Sequence, residues 1–517
     1  MAAVATWLGG CQGGSLPLIG GGKPPELIMG YGVDQLSTTG LDPQIHSGTA
    51  AESQLRNCYD CLVQISKDLK TVEPQLATEW KRINPTTMQF KLREGVRFHN
   101  GEEFDAEAVK FSIERPINPN TKPRSSIFAT YANTLDHVDV VDKSTVNVVT
   151  KKPDPLLLRR MSGFNMTIIA PKWAAAGGSD KIKVEAQGTG AYRIVEWGGA
   201  GSDVVLEAND KYWGQPASVK RVRIKIIPEQ ATRSAALRSK DIHVTHALWP
   251  EDEAAIGGSG SAVTKKVASN RIPFYFIEVR KPPFDKKEVR QAINYGANID
   301  GIIKNVLQGN GTRTSTITAP WHFGNSKQLK PYPYDPQKAK DLLKQAGLAD
   351  GFESNIWFIQ GRYMKDKEVA EAISQELAKV GIKVKPQLND TTKNSQLDLA
   401  KSQDGMIFAS WGNWMFDVDN TYFPLMHSSA RDTANDGKGQ SSRPYGDPAF
   451  DKMLEEARVE LDEEKRQALY DNAEAFFYEQ APALFMYQLT DIYGISKQVK
   501  WDPRSDEMVW YREMAWA

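Results

Sequence analysis

Cysteine is scarce in this chain, with three among 517 residues, at positions 11, 58 and 61. Histidine is thin as well, with seven scattered along the sequence, so a zinc cage lacks ligands. His243 and His246, the nearest approach to a pair, share no face of a strand and would sit one turn apart on a helix. No run of about 20 apolar residues is present, which excludes a spanning helix. Charge of one sign is missing too: Lys+Arg and Asp+Glu are both 64. Without a basic stripe, nucleic acid is not an expected partner, although a locally charged cleft stays compatible with zero net charge. Catalytic signatures are absent. His-Glu-x-x-His does not occur, Gly257-Gly258-Ser259-Gly260 lacks the last glycine of Gly-x-Ser-x-Gly, and Gly20-Gly21-Gly22-Lys23 runs into Pro24 where a phosphate loop needs Ser or Thr. No nucleophile–base pair is legible. The reading is therefore a binding protein, not an enzyme, with no cofactor and no metal site.

What is present is length and an α/β rhythm. A chain of 517 residues exceeds what one hydrophobic core usually supports, so two or more lobes are expected. Residues 26–33 read as a first strand, and residues 137–150 alternate apolar and polar like a half-buried strand. Asp105 is placed to cap a helix running to about Glu114. Beyond residue 272 the pattern becomes regular. Asp285-Lys286-Lys287-Glu288 reads as a capping box, Asp335-Pro336 opens a helix that Gly347 closes, and residues 354–360 form a strand. Asp366 to Val380 is an amphipathic helix with Val369, Ile373, Leu377 and Val380 on one face. Gly381 ends it and residues 382–388 make the next strand, which gives a βαβ unit and a partly parallel sheet.

The strand over residues 405–411 runs into Trp411-Gly412-Asn413-Trp414 and then Asp417 and Asp419. The C-terminal end of a strand is where open α/β sheets bind ligands. A Trp there supplies a rigid apolar face and one N–H, suited to gripping a small molecule. The acids are candidates for ligand acceptors or turn formers. The long polar loop at 427–447 adds Arg431 and Arg443 as cationic candidates.

Two cysteine settings carry alternatives. Residues 1–10 are apolar and small, ending Leu8-Gly9-Gly10-Cys11, and residues 12–25 are rich in Gly, Ser and Pro. This is similar to the tail of a bacterial lipoprotein signal, with Cys11 lipidated and residues 1–25 a signal remnant and tether, which implies an extracytoplasmic, lipid-anchored protein. Cys58 and Cys61 stand in Asn-Cys-Tyr-Asp-Cys-Leu, on a segment that reads as helix from Ala51 to Leu62. Packing, a local disulfide and a functional thiol pair are the readings open to them.

Several segments together resemble one family. They are Pro74-Gln-Leu-Ala-Thr-Glu-Trp80, Phe90 through Val109 (Phe-Lys-Leu-Arg-Glu-Gly-Val-Arg-Phe-His-Asn-Gly and onward), Gly188-Thr-Gly-Ala-Tyr192, Asn209-Asp-Lys-Tyr-Trp213, Pro282 through Ala292, Tyr334 through Lys340, and Trp411 with Asp417-Val-Asp-Asn420. The order and the span, about 26 to 490, resemble the extracellular solute-binding proteins of family 5, the peptide- and nickel-type receptors of ABC importers. The resemblance implies an α/β, two-lobed periplasmic-binding-protein-like fold (type II, cluster C) with an extra subdomain in the first lobe. The expected division is lobe I over 26–272, with the subdomain at about 75–185, lobe II over 273–488, and a C-terminal return to lobe I over 489–517. A hinged closure over the ligand is implied as well.

For function, the resemblance implies a monomeric receptor that takes a small polar solute and hands it to an ABC permease. In peptide-binding members an Asp three residues after the cleft Trp pairs with the peptide's α-amine. Here that position is Trp414, which argues against ordinary free-amine peptides. Such members also place an Arg for the ligand carboxylate near the end of the strand matching 354–360. Counting without gaps reaches Gln360, and Arg362 follows two residues on, able to clamp a carboxylate bidentately. The expected ligand-binding set is Trp411, Gly412, Asn413, Trp414, Arg362, Asp417 and Arg431. Opine-like conjugates, modified peptides, oligosaccharides and metal chelates all fit it. A sensory or chaperone-like protein on the same fold is the alternative from another class.

Overall fold

The computed structural model describes residues 25–34, 36–46, 48–118, 134–359, 363–388, 404–429 and 444–517. Among these residues, three larger sheets organise the chain. The first has eight strands and runs Ala262–Ala268, Tyr487–Ser496, Val244–Thr245, Glu26–Tyr31, Arg221–Ile226, Val204–Ala208, Tyr192–Trp197, with Gly311–Arg313 also on Tyr487–Ser496. The second has five, in the order Ile382–Leu388, Phe352–Phe358, Met406–Gly412, Arg271–Ile277, Ala483–Phe485. A four-stranded antiparallel sheet, Ala77–Asn84, Thr87–Leu92, Thr145–Thr150, Leu135–Asp142, stands beside the first.

The two main sheets are joined by two strand pairs lying side by side. Ala262–Ala268 pairs antiparallel with Tyr487–Ser496 in the first sheet, and the same two stretches of chain continue as Arg271–Ile277 paired with Ala483–Phe485 in the second. Ser269 N donates to Leu489 O at 2.9 Å and Gln488 Nε2 to Ser269 O at 2.6 Å, so the crossover is itself laddered. The C-terminal stretch thus returns to the first sheet. Its residues Trp501, Val509, Tyr511 and Met514 are buried in the same core as Leu27 and Met29.

The second sheet is covered on both faces, as a sheet with parallel βαβ units requires. Along Arg271–Ile277 the period of two sends Tyr275 and Ile277 to one core and Phe274 and Phe276 to the other. The helix Asp366–Ala378 shows why its residues fold as they do. Val369, Ile373 and Leu377 recur every fourth position and are all buried, each burial stabilising by roughly 1.5–3 kcal/mol. Gly381, at φ +93°, ends the segment where an L-residue would be strained, and Ile382–Leu388 pairs parallel with Phe352–Phe358. Asp105 caps Ala106–Glu114 through Ala108 N at 3.0 Å, and Asp335 caps Pro336–Gln345 through Lys338 N at 2.9 Å.

Three local expectations are corrected. The strand read at 354–360 is Phe352–Phe358, because Gly351 at φ +79° turns the chain into the sheet earlier. Asp285 does not cap: the helix is Lys287–Gly296 and its N-cap Lys286 makes no capping side-chain bond. Arg290 instead gathers the carbonyls of Phe284 and Asp285 at 2.9 Å each, which folds the segment as a turn. The helix read from Ala51 to Leu62 stops at Leu55. Past that point the backbone pairs elsewhere: Asn57 O accepts from Tyr192 N at 2.9 Å and Cys58 O from Gly190 N at 3.0 Å. Gly188 and Gly190 permit that approach, since a Cβ at either would lie 2.1 and 2.5 Å from atoms of Cys58. Cys58 and Cys61 are buried free thiols, both with pKa values pushed up by burial, and Cys61 donates to Gly163 O at 3.3 Å.

Between the two cysteines, Asp60 ties distant segments together. It accepts from Gln75 Nε2 at 2.7 Å, Thr189 Oγ1 at 2.9 Å and Trp213 Nε1 at 2.9 Å. Three of the segments that carry the resemblance therefore meet at one buried carboxylate, and their role there is architectural.

Candidate functional site

A cavity of about 160 Å³ lies between the lobes, walled by His46, Thr49, Glu52, Phe164 and Asn165 on one side, by Ser410, Trp411, Gly412 and Trp414 on the other, and by Arg271 at the crossover. A smaller one, about 30 Å³, shares Thr49, Glu52 and Trp414 and reaches Arg504, Asp506 and Trp510. No group of three or more His, Cys, Asp or Glu side chains suited to a metal is present among the described residues.

The second lobe brings its wall through the strand Met406–Gly412 and the turn after it. Trp411 donates Nε1–H to Asn420 O at 2.7 Å, so its donor is spent and it offers the cavity a ring. Gly412 pairs with Arg271 across the strands, and a Cβ there would stand 2.9 Å from Arg271 Nη2, so the guanidinium occupies the space a side chain would take. Trp414 crosses toward the first lobe. Its ring edge is where a Cβ on Gly163 would lie, 2.4 Å from the Cζ3 atom, and it packs with Leu156 and Met415.

Two of the expected ligand contacts have side chains engaged inside the second lobe. Asn413 is 1% exposed and donates to Asp417 O at 2.7 Å and Thr421 Oγ1 at 2.9 Å, which pins the turn. Asp417 is equally sealed. Arg466 grips its carboxylate at 2.6 and 2.8 Å, and Asp419 N adds a bond at 3.0 Å. Both side chains turn into the second lobe, where Asn413 Oδ1 stays buried without a hydrogen-bond partner among the described residues. Arg362, Arg431 and Cys11 lie outside the described residues.

The first lobe and the crossover contribute residues that the sequence reading did not select. Glu52, on the helix Thr49–Leu55, accepts from Arg56 Nε and Nη2 at 2.9 and 2.7 Å, both on Oε1. Burial raises the Glu52 pKa, with Arg56 opposing. Arg271 opens the crossover strand. It donates Nε to Glu507 Oε1 at 2.7 Å and Nη2 to Glu507 Oε2 at 2.8 Å and to Thr49 Oγ1 at 3.0 Å. Burial works against the Arg271 charge, but the Glu507 carboxylate outweighs it and raises the pKa. His46 is held against Gly40 O at 2.9 Å, and burial lowers its pKa to about 4, so it is neutral at pH 7. No local spacing marks these residues: Arg271 and Glu507 are 236 positions apart.

Contacts between the lobes flank the cavity. Arg160, 2% exposed, bonds Asp154 at 2.7 Å in its own lobe and reaches Asp419 of the other at 3.4 Å, while Arg458 pairs with Asp419 at 3.0 Å. Asn270 Nδ2 donates to Asn413 O at 3.2 Å.

Two α/β lobes joined by paired strands and closed on a small aromatic and charged cavity define a two-lobed solute-binding protein. The pattern of the bacterial extracellular solute-binding proteins, family 5, matches residues 71–433, and the chain belongs to that family. Over 490 residues it is 28% identical to the dipeptide-binding protein of Escherichia coli (strain K12), covering 90% of each chain. It is also 28% identical over 485 residues to heme-binding protein A of Haemophilus influenzae, covering 88% of this chain and 86% of that one. Among solved structures it is similar to the periplasmic binding protein DppA of Helicobacter pylori in complex with the peptide STSA, at TM-score 0.84, 25% identity, 95% of this chain and 98% of that one. NikA of Brucella suis, in complex with Fe(III)-EDTA, superposes at TM-score 0.82 with 26% identity, covering 95% of this chain and 100% of that one. These relatives are binding proteins for solutes, not enzymes.

Proposed function

We propose that this protein captures a small polar solute in the cavity between its lobes and delivers it to an ABC permease outside the cytoplasm. The observation that carries this reading is the shared wall: Trp411, Gly412 and Trp414 from one lobe face Thr49, Glu52 and Phe164 from the other. A ligand lying there touches both lobes at once, which couples binding to their relative position. Trp411 and Trp414 serve as apolar faces, and Arg362 and Arg431 remain proposed cationic contacts. Among the described residues no helix is long and apolar enough to cross a membrane. Membrane proximity is assigned to lipidation at Cys11.

The ligand class is peptide-like, opine-like or another conjugate with one apolar face. Support comes from the wall chemistry and from relatives named for dipeptides and heme. The test is a thermal-shift screen on protein freed of ligand by partial unfolding and refolding. A compound at about 100 times its Kd adds roughly 2.7 kcal/mol and raises the midpoint by some degrees. A hit whose shift is lost in Trp414→Ala supports the site. Hits unaffected by substitution at both tryptophans exclude it.

A further inference from the structure

The cavity wall carries two charged groups whose hydrogen bonds are only half used. Arg56 takes Oε1 of Glu52, and Oε2 makes no hydrogen bond among the described residues. Glu507 and Thr49 take Nε and Nη2 of Arg271, and Nη1 makes none among them. Neither side chain is sealed: Glu52 keeps 13% and Arg271 11% of its surface exposed, and both line the cavity. They sit close together, since Arg271 bonds Thr49, the residue one helical turn before Glu52. Ser410 Oγ, in the same wall, is buried with no partner among the described residues.

An open carboxylate oxygen, an open guanidinium nitrogen and an unpartnered hydroxyl are three unmet demands around one small space. A lone anion in the cavity meets the Glu52 carboxylate, and a lone cation meets the Arg271 charge. A neutral ligand leaves one or both charged groups without their second bond. A ligand carrying both an ammonium and a carboxylate satisfies both at once through charge-assisted bonds. The cavity, at about 160 Å³, has room for such a head group. Phe164, Trp411 and Trp414 complete the wall with rings, which favour an ammonium at their faces.

We infer that Glu52 and Arg271 set the specificity of the cavity for a zwitterionic, amino-acid-type head group, Glu52 accepting its ammonium and Arg271 donating to its carboxylate. This rests on the receptor reading above and deepens it. It moves the anionic contact from the second lobe, where Trp414 stands and Asp417 is consumed, to the first.

The test uses ligand-stripped full-length protein and isothermal titration with four sets of probes: free amino acids and dipeptides, their N-acetyl forms, their C-terminal amides, and charge-free or chelated compounds (maltose oligosaccharides and nickel–EDTA). The expected result is binding by compounds with both charges, weakened about tenfold or more when either end is blocked. In Glu52→Gln the free compound weakens while its N-acetyl form does not, so the ratio between them falls. A purely structural role for Glu52 would lower both alike. If Glu52→Gln melts or fails to fold, the blocked-probe comparison on the unmodified protein decides alone. Equal binding by blocked and free forms, or binding confined to sugars or the chelate, overturns the inference and leaves the receptor reading standing. Silence from every set overturns the inference and leaves the receptor reading to the thermal-shift screen.

Discussion

The two walls of the cavity use their polar groups in opposite ways. On the second-lobe side, Trp411 Nε1, Asn413 Nδ2 and both Asp417 oxygens are bonded inside the lobe. On the first-lobe and crossover side, Glu52 and Arg271 are anchored by some of their atoms and leave others open. One wall is rigid apolar surface held by hidden hydrogen bonds. The other is charge held in place but not exhausted. The charges thus sit on the first lobe and the crossover and two of the three rings on the second lobe, so a ligand meets both kinds of wall at once.

The largest expected effect comes from breaking the hidden side. Asp417→Ala leaves Arg466, 4% exposed, buried without its carboxylate. It is expected to destabilise the protein by about 3–5 kcal/mol, read from guanidinium denaturation. A change below about 1 kcal/mol would return Asp417 to the list of ligand contacts. The next test removes the rigid surface without touching its anchors. Trp414→Ala is expected to weaken the best ligand of the screen about 10- to 100-fold by titration calorimetry while the protein stays folded. Gly412→Ala probes where the walls meet, because its Cβ would lie 2.9 Å from Arg271 Nη2. Displacing a guanidinium already tied to Glu507 and Thr49 is expected to cost roughly 1 kcal/mol and to reduce affinity several-fold.

The smallest effect concerns the charged side at rest. Asp491, on the strand Tyr487–Ser496, has its pKa pushed up to about 7, first by burial and then by the Glu507 carboxylate. The folded protein therefore holds a proton that an unfolded carboxyl with the ordinary value of 3.8 has released. The stability this gives is fully present below about pH 4 and is lost as pH rises through about 7. Melting curves across that window should show a decline in stability, flattened in Asp491→Asn. An unchanged slope would mean that Arg271 serves both carboxylates equally.

Much of the scaffold was legible in the residues. The Val369–Ile373–Leu377 spacing, the glycine at 381 and the caps at Asp105 and Asp335 are local signals, and local hydrogen bonds and side-chain period answer them. The misread segments failed for a shared reason. Asp285 and the stretch after Leu55 have helix-like spacing, but Arg290 and the 190–192 backbone claim their polar groups. The site was legible only in part. Trp411, Gly412 and Trp414 follow from a strand that ends in a loop, and the structure sets all three in the cavity wall. Asn413 and Asp417 sit in the same loop, and their side chains turn inward to Thr421 and Arg466.

By itself, the sequence determined the α/β elements, their order and the tryptophan loop, because propensity, capping and periodicity act within a few residues. Which polar atoms are spent and which stay open was decided only by the tertiary structure. Arg271 meets Glu507 across 236 residues, Asn57 meets Tyr511 across 454, and Glu52 meets the tryptophans only when the lobes close on one cavity. A side chain's chemistry is local, but its satisfaction depends on groups that folding brings from far along the chain.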